Sequence, residues 1–64
     1  MPSRTEILLG KKGQVTEWID PVSGKGRVIV EGQDWAAKSE KSILSGQSVL
    51  VEGADGIVLQ VREI

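Results

Sequence analysis

The sequence predicts an all-β fold: a small five-stranded antiparallel β-barrel with no long helix. Three observations point to it. Eight glycines punctuate the 64 residues, at positions 10, 13, 24, 26, 32, 46, 53 and 56. Between them run short segments that alternate apolar and polar residues, the period of a strand with one buried face. A single longer connection, 39–46, separates the third such segment from the fourth.

The first strand is expected over 14–19, where Val15 and Ile19 share one face. Asp20-Pro21 with Ser23-Gly24 then supplies turn chemistry, a fixed φ followed by a permissive one. The next residues, Gly24-Lys25-Gly26, invite comparison with a phosphate-binding loop. Such a loop needs its lysine followed by Ser or Thr at the mouth of a helix. Here Arg27-Val28-Ile29-Val30-Glu31 follows instead. Its three consecutive β-branched residues suit a strand over 27–31, so Gly24-Lys25-Gly26 reads as a turn.

Glu31-Gly32-Gln33 is a tight hairpin into a third strand over 34–38. The connection 39–46 has a short helical option, with Ser39 as a cap, but reads better as a linker whose Ile43 or Leu44 plugs one end of the barrel. Strands over 48–52 and 57–62 complete the set, joined by a hairpin at Gly53-Ala54-Asp55-Gly56. Five short strands with the longer connection between the third and fourth suggest an OB-type barrel, with an SH3-like barrel as the nearest competitor.

Alternation sends Val15, Ile19, Val28, Val30, Trp35, Ala37, Val49, Val51, Leu59 and Val61 inward. Trp35, the largest of them, is the expected core anchor. A chain this short forms one domain, and its margin of stability is thin. With no Cys and no His it has neither a disulfide nor the usual ligands of a structural zinc. The lack of Cys leaves the redox compartment open.

Eight basic and nine acidic residues, interspersed, give a formal charge of −1 and no field that would draw a polyanion. No apolar run approaches the roughly 18 residues of a membrane span. Catalysis is not expected. Ser39, Ser42 and Ser45 with Lys38 or Lys41 are the one formal nucleophile and base set, and they lie in a segment that reads as a solvated loop. The acidic residues Asp20, Glu31, Asp34, Glu52 and Asp55 are spread over several turns rather than gathered in one loop, so no calcium site is expected. No cofactor and no metal follow from these residues.

The order of short motifs resembles the C-terminal domain of the NfeD-like family. Gly10 and Gly13 open it, followed by Ile19 two positions before Pro21. Gly26, Val28, Val30 and Gly32 come next, then Trp35, Ala37 and Ser39. Gly46, Val49 and Val51, and then Gly56, Leu59 and Val61, close the pattern. The likeness runs from about Leu9 to Val61, and departs from the shorter family pattern by an extra residue or two in the turn 22–25. On this resemblance, 10–64 is the OB-fold domain and 1–9 a linker or an artificial start. It implies a soluble tail on the cytoplasmic side of a membrane-anchored protein, with a stomatin-like or flotillin-like membrane protein as partner. Some longer members carry an upstream serine protease domain, of which this sequence holds nothing.

Outside the barrel, the same alternation leaves Trp18, Ile29, Leu50 and Val58 facing solvent on the first, second, fourth and fifth strands. In the strand order of an OB barrel these would form one apolar patch, a candidate surface for protein contact or weak self-association. The bland reading is that Trp18 lies over neighbouring strands under the stems of Arg27 or lysines. The alternative function is binding of single-stranded nucleic acid. That requires a basic groove with stacking aromatics, and this chain has two Trp and no Phe or Tyr.

Overall fold

The structure, a computed structural model, describes residues 8–64. The chain forms five strands: β1 (Lys12–Asp20), β2 (Lys25–Val30), β3 (Gln33–Lys38), β4 (Ser48–Asp55) and β5 (Val58–Glu63). They close in the order β1-β2-β3-β5-β4, so that β1 pairs with both β2 and β4. That order is the OB type and excludes the SH3-like competitor.

Pairing is antiparallel at every seam except β3 with β5, which run parallel. The expectation of an antiparallel barrel is corrected there, for a geometric reason. Strands that reverse direction one after another cannot close an odd-membered ring without one parallel seam. β3 and β5 are that seam, because β4, which separates them in sequence, pairs with β1 instead.

The inner face is filled by aliphatic side chains. Ile19, Ile43, Leu59 and six valines (Val15, Val28, Val30, Val49, Val51 and Val61) are sealed from solvent, joined by Ala37 and Leu8. Burying each of the large ones contributes about 1.5–3 kcal/mol before conformational entropy is subtracted.

Trp35, expected as the core anchor, is only half-buried and packs against this cluster from its margin. The registered pairs of β5 with β3 begin one residue further on, at Ala36↔Val58, so Trp35 lies at the margin of that seam. Leu8 adds to the core from just before β1; residues 1–7 of the expected linker lie outside the described ones.

Strict alternation would turn Glu17 into the core. Register shifts on either side of it, between Val15 and Glu17 and between Glu17 and Asp20, leave it exposed while Val15 and Ile19 stay inside. Close approach elsewhere is set by glycine: a Cβ on Gly26 would lie 2.7 Å from Ile19 Cγ1, 2.8 Å from its Cα and 3.0 Å from the Ala37 carbonyl. The β2–β3 hairpin turns on Glu31 and Gly32, both at positive φ (54° and 75°), the pair a two-residue I′ loop requires. The second hairpin turns at Gly56 and Ile57, later than expected, because β4 runs on through Gly53 to Asp55.

The connection 39–46 forms no helix. It crosses the end of the barrel, where Ile43 and Ile19 exchange backbone hydrogen bonds of 2.9 and 3.1 Å. Of the two plug candidates Ile43 is buried, and Leu44 is exposed.

Candidate functional site

The side chains that carry chemistry are mostly engaged with one another. Lys38 Nζ donates to Asp55 Oδ2 at 2.9 Å, Ser42 Oγ accepts from the Trp18 indole, and Ser39 Oγ accepts from the Lys41 amide at 3.3 Å. Of the acidic residues, Asp34 holds Arg27 at 2.9 Å, Glu52 holds Arg62 at 3.1 Å and Glu31 faces Lys11 at 3.8 Å. All are solvent-exposed pairs, worth about 0–1 kcal/mol each. Among the described residues no group of three His, Cys, Asp or Glu converges on a point where a metal ion would sit.

Asp20 instead serves the β1–β2 turn. Its carboxylate accepts from the Val22 amide at 3.0 Å and from the Ser23 hydroxyl, and these bonds, the first above all, hold its pKa below the ordinary carboxylate value. Lys25 adds a smaller Coulombic pull in the same direction.

The four outward apolar residues are distributed by the register. Trp18 is 49% exposed, and its indole N–H donates to Ser42 Oγ at 2.6 Å, tying the end of β1 to the crossing loop. Ile29 is 43% exposed, in register with Gln14 on β1 and Asp34 on β3. Arg27 separates these two: it pairs with Glu17, next to Trp18, and precedes Ile29 by two residues on the same face. Val58 lies further round in the row Arg27↔Ala36↔Val58 and is half-buried. Leu50, also half-buried, is in register with Lys12 at the other end of β1. No two of the four are registered partners.

Sequence reasoning missed two companions of Trp18. Val22 is 93% exposed in the turn that follows β1, and Leu44 is 65% exposed beside the plug Ile43. The end of the barrel where β1 finishes therefore carries Trp18, Val22 and Leu44 together with the loop that Trp18 holds. The signal was available, since an aliphatic residue between Pro21 and Ser23 in a turn has no core to join.

The residues thus form a closed β-barrel of OB order that carries four exposed ion pairs and a half-exposed Trp18 on its outer surface. Residues 5–63 match the model of the NfeD-like C-terminal, partner-binding domain. The chain belongs to the NfeD-like family.

The fold is shared with the C-terminal domain of a stomatin operon partner protein from Pyrococcus horikoshii (TM-score 0.85, 31% identity, covering 98% of this chain and 97% of that one). It is shared also with the soluble domain of an NfeD protein from Bacillus subtilis (TM-score 0.81, 33% identity, 94% and 77% covered). A soluble domain of a Corynebacterium glutamicum membrane protein implicated in regulation of membrane protease activity has the same fold at 24% identity (TM-score 0.83, 91% and 94% covered).

An uncharacterised protein of Methanocaldococcus jannaschii is 38% identical over 42 residues, which are 66% of this chain and 30% of that protein. The chain thus spans less than a third of that relative's length. Among the described residues no helix is long and apolar enough to cross a membrane.

Proposed function

We propose that this barrel is a non-catalytic protein-contact domain, the soluble tail of a membrane-anchored NfeD-like protein, and that it acts on the cytoplasmic side with a stomatin- or flotillin-type membrane partner. Membership of a partner-binding family supports the contact role, and the likeness to a stomatin operon partner supports the kind of partner. The contact surface is the outer face around Trp18, with Val22 and Leu44 in the adjoining turn and loop; Ile29, Leu50 and Val58, expected beside it, lie apart from it in the register.

The observation that carries this reading is the exposure of Trp18 in a chain so short. Half of its surface is in water while its indole N–H is already satisfied by Ser42, so the ring is held in place without being covered. Trp is enriched among interface anchors, where truncation often costs 2 kcal/mol or more of binding.

The test is a matched pair of variants assayed against a reconstituted stomatin-type protein in vesicles. Trp18→Ser should keep the barrel folded and weaken capture, and Trp35→Ser should lower stability more. Equal unfolding by both variants, or unchanged capture by Trp18→Ser, sinks the assignment. Single-stranded nucleic acid serves as the competing ligand: binding that falls steeply as salt rises would replace the protein-contact reading with the phosphate-binding one.

A further inference from the structure

The way the barrel closes leaves one length of strand without a neighbour. β3 and β5 are in register at Ala36↔Val58, Ala37↔Leu59 and Lys38↔Gln60, and there β3 ends. The chain then crosses to β1, where Ile43 bonds Ile19 and the Gly46 amide donates to the Val15 carbonyl at 2.7 Å. β5 runs on to Glu63, paired on its far side with β4 through Val61↔Val51, Arg62↔Leu50 and Glu63↔Val49. Among the described residues no strand pairs with β5 beyond Gln60 on the side that β3 has left.

The direction of the open groups follows from one bond. The Ile64 amide donates to the Ser48 carbonyl at 3.1 Å, which makes Ile64 and Ser48 a hydrogen-bonded pair of the antiparallel ladder. Successive residues of such a ladder alternate, so the N–H and C=O of Glu63 point away from β4, towards the vacated side. A groove of about 590 Å³ runs along this edge, with 39–41 on one wall, 60–64 on the other and the buried Ile43 and Val61 in its lining.

Its charged lining is Glu40, Glu52 and Glu63 against Lys41 and Arg62. Arg62 is already bound to Glu52, so the remainder is acidic. A backbone edge inside a groove accepts an extended chain, because only an extended chain presents donors and acceptors at the spacing of a strand. A second copy of this domain does not suit it. Edge-to-edge pairing would bring the two acidic linings together, and the wall 39–41 stands beside the edge that a second sheet would need to reach.

We propose that the β5 edge takes an extended, basic segment of a partner protein by strand addition. The segment's backbone bonds Glu63, and the lysines or arginines on one of its faces meet Glu40 and Glu63, while its apolar residues alternate to the opposite face. The open edge spans about four residues, or roughly 13 Å of strand. The inference shares with the proposed function only the premise that the ligand is a protein. Its backbone edge lies on β5, but the wall 39–41 belongs to the loop that Trp18 holds through Ser42, so the two readings are told apart at Glu63→Pro, which leaves the surface around Trp18 intact.

The experiment titrates the nitrogen-15-labelled chain with an end-blocked hexapeptide alternating valine and lysine. Amide shifts at 39–41 and 61–64, with exchange of the Glu63 amide slowed about tenfold, are expected as the added strand covers that edge. The same peptide with alternate amides N-methylated should lose binding, and one with glutamate for lysine should bind several-fold more weakly.

Glu63→Pro removes the N–H that faces the groove and none of the β4 bonds, so it should abolish the response with the other amide signals unchanged. Should that variant unfold, Glu40→Lys with Glu63→Lys provides the alternative, and must reverse the preference to the glutamate peptide. Shifts that map elsewhere, equal binding of the N-methylated peptide, no response at millimolar peptide, or edge shifts that grow with protein concentration alone would each overturn the proposal.

Discussion

The two ends of β1 are closed by different devices. Where β1 finishes, a loop from between β3 and β4 crosses the barrel, and Ile43 is held by two backbone bonds to Ile19 and by the Trp18–Ser42 bond beside them. Where β1 begins, Leu8 enters from the preceding segment, held by the Lys11 amide donating to its carbonyl and by the Gly10 amide donating to Val51. Both plugs are buried, but Ile43 is bonded through its own amide and carbonyl to a strand residue, whereas the described bond of Leu8 itself is its carbonyl's to the nearby Lys11 amide. Burial alone does not measure how firmly a plug is held; what matters is how many neighbours must move before it can leave.

The sharpest test of that contrast is to shorten both plugs. Ile43→Ala should cost about 2–5 kcal/mol in denaturant unfolding, because the fixed loop cannot collapse into the cavity. Leu8→Ala should fall at or below the lower end of that range, since Leu8 lies outside the five strands and can relax without breaking a strand pairing. Equal costs would mean that the two closures are alike.

Next in size is Gly26→Ala, where the new methyl meets the Ile19 backbone as well as its side chain. Overpacking of this kind typically costs about 1–3 kcal/mol, and the loss should be accompanied by faster exchange of the Ile19 and Ile43 amides.

These outcomes also show what was legible in the residues. Period-two alternation placed Val15, Ile19, Val28, Val30 and the paired residues of β4 and β5 inside, because a closed sheet has one interior and side chains alternate across it. It misjudged Trp35, which packs against the margin of the core cluster and not inside it. The outer surface was less legible. Alternation identified Trp18 and Ile29 as exposed, but their distances from Leu50 and Val58 are set by register across four seams, and register is a property of pairs of strands. The open β5 edge was invisible for the same reason, as no residue in 61–64 announces that its neighbour has departed.

A smaller effect is expected from acid at the loop-closed end. Asp20 has a pKa lowered in the fold from the ordinary 3.8, so its stabilisation is complete above that value and is lost as pH falls through the lowered one. Carbon-13 titration of the Asp20 carboxyl should show its midpoint below 3.8. Asp20→Asn, which keeps an acceptor for the Val22 amide, should flatten this part of the pH dependence.

The smallest change belongs to the opposite end. Glu31 sits at φ 54°, and Glu31→Asn should raise stability by several tenths of a kcal/mol, because Asn tolerates that region better. The exposed Lys11–Glu31 pair that it removes should cost less than this. A fall in melting temperature would show the ion pair to be the stronger of the two.

The parallel seam has a kinetic consequence as well. β1, β2 and β3 follow one another through short turns and can zip as a meander, and β4 with β5 forms a local hairpin. Ala36 and Val58 are separated by the whole crossing loop and β4, so their pairing carries a loop-closure entropy that the hairpins do not. Docking of the β4–β5 hairpin onto the meander, across this seam and the equally non-local β1–β4 seam, is therefore the step expected to limit folding. Mutations at Ala36, Ala37 or Leu59 should slow folding only as far as that docking has progressed in the transition state.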